Sequence, residues 1–255
     1  MRGVLDGKGI IVTGAGGGIG SAACVVLAEA GARLMVTDVS REMCEATVNA
    51  VRDAGGEADL HPADLWSEEQ IAGLVDAAVR RFGRLDGAFN NAGVEQCNKP
   101  LADLTLAEWD RAIRIDLTAV FLCVKYQVKA MLATGGGSIV NTASSLGQVG
   151  LAGASEYVSA KHGVVGLTRA AGADYGAQGI RVNAILPGIT RTPMITRLSE
   201  DPQLSAVFDR LRSRHSMGRF GEPSEIGEGV KWLLSDAASF VNGAAIAVDG
   251  GYLSI

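Results

Sequence analysis

Tyr157 and Lys161 stand four residues apart and form the pair in this sequence best suited to moving a proton. Residues at that spacing lie on one face of a helix, so the two side chains are expected to be neighbours. A phenol is a poor base at neutral pH, but a nearby ammonium stabilises its phenolate form. The pair therefore predicts general acid/base chemistry, although the same spacing also occurs by chance on amphipathic helices.

A serine upstream of this pair could hold a substrate oxygen beside the phenol. Ser144 follows a short apolar segment, residues 138–142, that is typical of a strand. The neighbouring Ser145 is an equal candidate by residue type, and serines in loops often only form turns. The residues alone therefore leave two candidates for the oxygen-binding hydroxyl.

A glycine-rich segment, TGAGGGIG from Thr13 to Gly20, links a short apolar strand to an alanine-rich helix. Glycines in such a turn let backbone N–H groups approach a pyrophosphate at the positive end of the helix. The spacing of Gly14, Gly18 and Gly20 fits TGxxxGxG, whereas GxGxxG fits in no frame and a Walker lysine is missing. The segment predicts dinucleotide binding, with a glycine-rich turn of an ordinary α/β fold as the alternative.

Asp38 ends the second predicted strand, where a carboxylate can accept hydrogen bonds from the ribose hydroxyls of an adenosine. The same carboxylate would repel the 2′-phosphate of NADP, and the only cation nearby that could offset this is Arg41. We therefore expect NAD as the cofactor. The alternative is that Asp38 is a solvated turn residue.

The composition argues against several other kinds of protein. The net charge is −5 and the 23 lysines and arginines are scattered, so no nucleic-acid partner is expected. The cysteines and histidines lack the spacing of a metal site or a disulfide framework. The uncharged stretch 130–155 is rich in glycine and polar residues, which argues against a membrane span, and the charged first residues do not resemble a signal peptide. A cytoplasmic location is expected.

Short segments rich in branched apolar residues alternate with longer segments of helical periodicity. This alternation predicts a doubly wound α/β (Rossmann) fold, in which helices cover both faces of a mostly parallel, seven-stranded sheet and ligands bind at the carboxyl ends of the strands. One domain over residues 1–255 is expected, with a substrate flap at 188–217, where periodicity is unclear. The predicted strands are Ile10 to Thr13, Arg33 to Thr37, Ala58 to Leu60, Leu85 to Asn90, Ser138 to Thr142, Arg181 to Leu186 and Ala244 to Val248. The predicted helices are Ala22 to Ala30, Glu68 to Phe82, Leu106 to Leu132 and Tyr157 to Tyr175, with capping boxes at Ser67/Gln70 and Thr105/Glu108.

Taken together, these motifs resemble the classical short-chain dehydrogenase/reductase family in order and spacing, over essentially the whole chain. The matching elements are the glycine loop, Asn90-Asn91-Ala92-Gly93, Ser144, the Tyr157/Lys161 pair, Arg181-Val182-Asn183 with Pro187-Gly188 and Thr192, and Asp249-Gly250-Gly251. The resemblance selects Ser144 over Ser145, because the family's serine lies three residues beyond the asparagine that Asn141 matches.

The resemblance implies a role for each matching residue. Tyr157 would be the acid/base, Lys161 would bind the nicotinamide ribose and favour the phenolate, and Ser144 would orient the substrate oxygen. Asp64 would contact adenine, and hydride would move to or from the carbon that bears the oxygen. The full set of expected cofactor-binding residues is Gly14, Gly18, Ile19, Gly20, Asp38, Asp64, Leu65, Asn91, Gly93, Tyr157, Lys161, Pro187, Gly188, Ile189 and Thr192.

One position departs from the family pattern. The family has a fourth catalytic residue, an asparagine, where this chain has Asp116. An ionised carboxylate would help to keep Lys161 charged but would oppose a nearby phenolate. We expect Asp116 to replace the asparagine with activity retained, and the alternative is an aspartate that only caps a kink in its helix.

These observations predict an NAD-dependent oxidoreductase that acts on a secondary alcohol or ketone. A catalytically silent NAD(H)-binding or regulatory protein is the alternative, whereas a nucleotide-sugar epimerase of the extended relatives would need a longer chain and a TGxxGxxG loop. A neutral substrate is expected, with a cyclic one as an option, because the predicted cleft has few cations. A homotetramer that uses the segment Gly243 to Ile255 is expected. The expected cleft residues are Glu95, Gln96, Gln148, Leu151, Glu156, Ile189, Met194, Ile195 and Leu198.

Overall fold

Seven parallel strands form the central sheet of the computed structural model, which describes residues 3–192, 195–196 and 205–254. The strand order is β3-β2-β1-β4-β5-β6-β7, so the chain winds outwards in both directions from the β1/β4 neighbours. The predicted doubly wound fold is confirmed, and each predicted strand is present with small shifts at its ends. The strands are β1 Gly9–Thr13, β2 Arg33–Thr37, β3 Glu57–Leu60, β4 Gly87–Asn90, β5 Gly137–Thr142, β6 Ile180–Pro187 and β7 Ala245–Val248.

Helices cover both faces of the sheet because successive side chains of each strand point to opposite sides. Ile10 and Val12 pack with α1, α2 and α8, whereas Ile11 packs with α3, α5 and α6 on the other face. The helices are α1 Gly18–Glu29, α2 Arg41–Asp53, α3 Glu68–Phe82, α4 Leu106–Ile113, α5 Ala119–Leu132, α6 Ser155–Tyr175, α7 Ser205–Ser213 and α8 Pro223–Leu234.

The helix predicted over 106–132 is divided in the structure. A π-helical turn, Arg114–Thr118, separates α4 from α5. Such a turn adds a residue to the helical repeat and is frequent at functional sites. The side chain it places inward is Asp116, which is fully buried.

The two predicted capping boxes have different outcomes. Thr105 and Glu108 form a complete box at the start of α4. Ser67 accepts the hydrogen bond of the Gln70 amide, but the Gln70 side chain accepts from the Asp64 amide, so only half of that box exists.

Three helices, α2, α7 and α8, were not predicted from periodicity. The first and last have recognisable starts, since Ser40 caps α2 and Pro223 opens α8. Helix α7 lies within the segment 188–217, where the sequence shows no clear period. Met194 and Leu198 fall outside the described residues. No helix in the described ranges is long and apolar enough to cross a membrane.

Candidate active site

Helix α6 carries Tyr157 and Lys161 on one face, as their spacing predicts. The Lys161 ammonium lies 5.3 Å from the centroid of the Tyr157 ring. It donates a hydrogen bond to the Thr142 carbonyl at the end of β5, at 3.1 Å, and lies 3.3 Å from Asp116 Oδ1. The lysine is therefore held between the tyrosine, a strand end and a carboxylate.

The charge on Lys161 is set by two opposing effects. The side chain is almost completely buried, which disfavours the ammonium. Burial is outweighed by the attraction of Tyr157 and Asp116, which together raise the pKa of Lys161 above its ordinary value. The ammonium needed to stabilise a phenolate is thus present at neutral pH.

Asp116 links this lysine to the loop after β4. Its Oδ1 accepts a hydrogen bond from the Val94 amide at 3.1 Å, and its Oδ2 is buried without a partner among the described residues. Burial raises the pKa of Asp116, against the opposing pull of Lys161. A Cβ at Gly93 would lie 2.6 Å from Asp116 Oδ1, so glycine is required where the loop passes over the carboxylate.

The two candidate serines have different surroundings. The Ser145 hydroxyl is buried and donates to the Pro187 carbonyl at 3.0 Å, so it joins the ends of β5 and β6. The Ser144 hydroxyl accepts from the Leu146 amide at 3.1 Å and lines the cleft beside Tyr157. Its proton stays available for an oxygen in the cleft, which favours Ser144 as the substrate contact.

The glycine loop meets the geometric requirements of a phosphate-binding turn. Gly14 and Gly18 have φ angles of 62° and 53°, a region that favours glycine. A Cβ at Gly20 would lie 2.1 Å from the Gly14 carbonyl oxygen. Helix α1 begins without a capping side chain or an acidic residue in its first turn, so its N-terminal N–H groups can receive an anion.

Thr13 fastens this loop to the one after β4, a role that the sequence analysis did not assign. Its hydroxyl accepts hydrogen bonds from the amides of Asn91 and Ala92, at 3.0 and 3.1 Å. The Asn91 side chain donates in turn to the Gly14 carbonyl at 3.2 Å. The ends of β1 and β4 are therefore linked through these hydrogen bonds. The threonine of the TGxxxGxG motif is the sequence signal that could have predicted this link.

Asp38 lies at the end of β2 and faces the glycine loop. Its carboxylate accepts from the Gly16 amide at 3.0 Å and from its neighbour Val39 at 2.7 Å. Arg41, the nearest candidate counter-charge for a 2′-phosphate, is exposed and paired with Glu45 at 3.3 Å. A ribose could therefore meet a fixed carboxylate here.

Two other residues expected at the cofactor lie beyond the end of β2. The Ala63 amide donates to the Asp38 carbonyl, which brings Asp64 next to this edge of the sheet. Asp64 Oδ1 accepts from the Trp66 amide at 2.9 Å. Leu65 packs against Ile71 and its neighbours instead of lining the cleft.

A cleft of about 410 Å³ opens at the carboxyl ends of the strands. Most predicted site residues share it, whereas Gln148 is exposed outside it. Glu156 was also expected in the cleft, and this is wrong: it is fully buried, and its Oε1 accepts from the Cys97 amide at 2.7 Å. The predicted residues found in the cleft are Ile19, Asn91, Gly93, Glu95, Gln96, Asp116, Ser144, Leu151, Tyr157, Lys161, Pro187, Gly188, Ile189, Thr192 and Ile195.

The loop after β6 is held by a histidine that the sequence analysis did not identify. Nε2 of the buried His215 accepts from the Ile189 amide at 3.1 Å, so its Nδ1 carries the proton that bonds the Leu211 carbonyl at 3.0 Å. Three further wall residues, Leu211, Arg214 and Tyr252, were also missed. They come from α7, the segment after it and the chain's end, and no short motif joins them.

The chain is similar to known oxidoreductases over almost its whole length. A family model described as enoyl-(acyl carrier protein) reductase matches residues 14–253. The chain is 49% identical to 2,5-dichloro-2,5-cyclohexadiene-1,4-diol dehydrogenase of Sphingobium indicum, over 98% of this chain and 99% of the relative. It is 45% identical to cis-4-hydroxycyclohexanecarboxylate dehydrogenase of Sinomonas cyclohexanicum, over 96% of each chain.

Solved structures extend the similarity to the fold. The crystal structure of levodione reductase matches with a TM-score of 0.93 at 41% identity, covering 98% of each chain. A variant of actinorhodin polyketide ketoreductase, solved with NADPH, matches with a TM-score of 0.92 at 36% identity over 99% of each chain. This chain has the fold of these oxidoreductases over nearly its whole length. It belongs to the classical short-chain dehydrogenase/reductase family.

Proposed function

We propose that this protein is an NAD-dependent dehydrogenase that interconverts secondary alcohols on carbon rings and the corresponding ketones. The observation that carries the proposal is the shared cleft in which Ser144, Tyr157 and Lys161 stand beside Ile19 of the glycine loop. The residues that we propose as the acid/base pair and the glycine loop that we propose binds the dinucleotide therefore share this cleft. The two relatives described above are both named as dehydrogenases of alcohols on six-carbon rings, which supports the choice of substrate.

In the proposed oxidation, Ser144 donates a hydrogen bond to the alcohol oxygen and Tyr157, as phenolate, accepts the hydroxyl proton. Lys161 stabilises that phenolate from 5.3 Å and is itself fixed by the Thr142 carbonyl. When bound, a nicotinamide cofactor supplies the acceptor for the hydride that leaves the same carbon. Reduction of a ketone reverses each proton and hydride movement.

Asp116 acts in this scheme through Lys161. Its contact of 3.3 Å keeps the ammonium charged and in place, and its bond to the Val94 amide fixes the loop that borders the cleft. We propose that it thereby replaces the asparagine of the family, with activity retained.

Several described residues fit the proposed cofactor. Asp38 would bind the adenosine ribose, the Asp64 side chain and the Leu65 backbone the adenine, and the N–H groups at Gly18 and Gly20 the pyrophosphate. Asn91, Gly93 and Lys161 would hold the nicotinamide ribose. The residues proposed beside the carboxamide are Pro187, Gly188, Ile189 and Thr192.

The preference for NAD over NADP rests on Asp38, because its fixed carboxylate would repel a 2′-phosphate and Arg41 is already paired. The Asp38→Ala variant should lower the ratio of kcat/KM for NAD to that for NADP by about tenfold or more. The Arg41→Gln variant serves as the control for the nearby charge. An unchanged ratio in Asp38→Ala would remove Asp38 from the cofactor site.

The decisive experiment follows NADH formation with cyclohexanol and related ring alcohols. The Tyr157→Phe variant should lose turnover by about 10²- to 10⁴-fold, because it cannot accept the proton. A catalytically silent NAD(H)-binding protein is the alternative, favoured by the carboxylate at position 116. Tight NADH binding without turnover of any ring alcohol would establish that alternative instead.

We propose one catalytic domain over residues 1–255, a cytoplasmic enzyme, a substrate flap at 188–217, and a homotetramer assembled through the segment Gly243 to Ile255. The edge position of β7 and the full exposure of the Phe240 side chain support assembly at that end of the sheet. Light scattering that gives the mass of a monomer would contradict the tetramer.

A further inference from the structure

Arg214 is a cation in the wall of the same cleft that holds Ser144, Tyr157 and Lys161. It follows α7 and is half-buried. The carbon at the centre of its guanidinium lies 4.7 Å from the centroid of the Tyr252 ring, which also lines the cleft. The face of the aromatic ring therefore favours this position of the positive charge.

The ring beneath Arg214 is itself held in place. The Tyr252 residue is buried, and its ring contacts that of His215 with centroids 5.3 Å apart. His215 is fixed by the Ile189 amide and the Leu211 carbonyl. Arg214 thus rests on a packed stack that is joined to the loop after β6.

The other charges of the cleft do not neutralise Arg214. Lys161 and Asp116 form a pair with each other, and Glu95, the other charged side chain that the described residues place in the cleft, is exposed. Within the described part of the chain, the Arg214 guanidinium has no ion pair and no side-chain hydrogen bond. A half-buried cation in that condition favours an anion in the adjoining space.

We propose that Arg214 binds an acidic group of the substrate, so that the preferred substrates are secondary ring alcohols that also carry a carboxylate. The proposal rests on the function proposed above and changes its substrate from a neutral to an acidic ring alcohol. The planar guanidinium matches a carboxylate through two parallel N–H donors, which also fixes the orientation of the ring. The expectation of a neutral substrate depended on a cleft with few cations, and the predicted cleft did not include Arg214.

Binding tests the proposal independently of turnover. Isothermal titration of the protein in the presence of NADH should give a tighter Kd for cyclohexanecarboxylate than for cyclohexanol. The Arg214→Gln variant should weaken carboxylate binding by about 10- to 100-fold. The Arg214→Lys variant should recover part of the loss, because it keeps the charge without the planar fork.

Arg212 provides the matched control. It lies two positions earlier, is exposed, and is paired with Asp209 outside the cleft. The Arg212→Gln variant should leave the carboxylate Kd unchanged. Loss of carboxylate binding in Arg212→Gln equal to that in Arg214→Gln would show a general effect of surface charge and would overturn the proposal.

Turnover separates this inference from the proposed function. The ratio of kcat/KM for 4-hydroxycyclohexanecarboxylate to that for cyclohexanol should exceed one in the wild type and fall at least tenfold in Arg214→Gln. An equal loss for both substrates would mean that Arg214 only supports Tyr252, and would overturn the inference while the dehydrogenase stands. No turnover of any ring alcohol, with carboxylate binding still dependent on Arg214, would overturn the proposed function and leave the binding site supported.

Discussion

The two sides of the cleft are held together in different ways. On the cofactor side, the ends of β1, β2 and β4 are joined by hydrogen bonds that Thr13 and Asp38 accept and that the Asn91 side chain donates, and each of these residues stands at or next to a strand end. On the substrate side, the loop after β6 is fixed by His215 and by pairing of Thr190 with Gly221. The first arrangement is local to the strands, whereas the second depends on segments far along the chain. Mutations on the cofactor side should therefore change cofactor binding more than substrate binding, and mutations on the substrate side should do the reverse.

The largest effect is expected on the cofactor side, at Gly20. A Cβ there would lie 2.1 Å from the Gly14 carbonyl oxygen, so the Gly20→Ala variant must displace the glycine loop. We expect a loss of NADH affinity of more than about 100-fold, measured by fluorescence titration. Circular dichroism would show whether the variant keeps its folded sheet.

Gly73 supplies the control for this substitution. It lies in α3, and a Cβ there would have no atom within 4 Å. Gly73→Ala should keep NADH affinity and raise the free energy of unfolding by about 1 kcal/mol, because alanine favours a helix. Equal NADH affinity of the Gly20→Ala and Gly73→Ala variants would mean that the close approach of Gly20 to the Gly14 carbonyl is not needed for cofactor binding.

This difference also explains what the sequence could reveal. The glycine loop, Asp38 and the pair on α6 belong to single strand-turn-helix units, and their spacing predicted both their elements and their arrangement. Tyr252 meets Arg214 and His215 only in the folded chain, and no periodicity marked α7. Glu156 was misplaced for a related reason: its position beside Tyr157 in sequence suggests the cleft, but the helix turns it toward the Cys97 amide.

A second prediction concerns Thr13, whose hydroxyl accepts two backbone hydrogen bonds. The Thr13→Val variant keeps the side-chain shape and leaves the Asn91 and Ala92 amides without this acceptor, at a cost of about 1–3 kcal/mol in the free energy of unfolding. We expect the Kd for NADH to rise about tenfold while KM for the alcohol changes less. Urea unfolding and titration with NADH measure the two effects.

The neighbouring strand offers a control for Thr13. Thr37 stands opposite Thr13 in the sheet and is also buried, but its hydroxyl has no partner among the described residues. Replacing it with valine removes a buried oxygen that makes no hydrogen bond among the described residues, so Thr37→Val should leave the free energy of unfolding unchanged or raise it. Destabilisation by Thr37→Val equal to that of Thr13→Val would contradict the assigned role of the Thr13 hydroxyl.

A third prediction concerns the substrate side. The His215→Phe variant keeps an aromatic ring but removes both hydrogen bonds, leaving the Ile189 amide and the Leu211 carbonyl unpaired. We expect KM for the alcohol to rise by up to about tenfold, with a smaller change in the Kd for NADH. The exposed His162, on α6, gives the control variant His162→Phe. A larger effect on NADH than on the alcohol would remove the distinction between the two sides.

The smallest effect is expected at Asp116, where the two sides meet through Lys161 and the Val94 amide. Because burial raises the pKa of Asp116 above 3.8, the folded protein binds this proton more strongly than the unfolded chain does. The stability that Asp116 contributes is therefore fully present below the unfolded-state pKa of 3.8 and decreases as the pH rises through the folded-state pKa. The Asp116→Asn variant has no such ionisation.

The free energy of unfolding of the wild type, relative to Asp116→Asn, should accordingly decrease as the pH is raised from about 4 toward neutrality. Urea unfolding at a series of pH values measures this difference, and Asp110→Asn, on the exposed side of α4, is the control. A difference that grows with pH would show that Lys161 stabilises the carboxylate more than burial opposes it. In that case the Asp116–Lys161 ion pair would itself stabilise the fold at neutral pH, and the Asp116 carboxylate would offset part of the stabilisation that Lys161 gives to the Tyr157 phenolate.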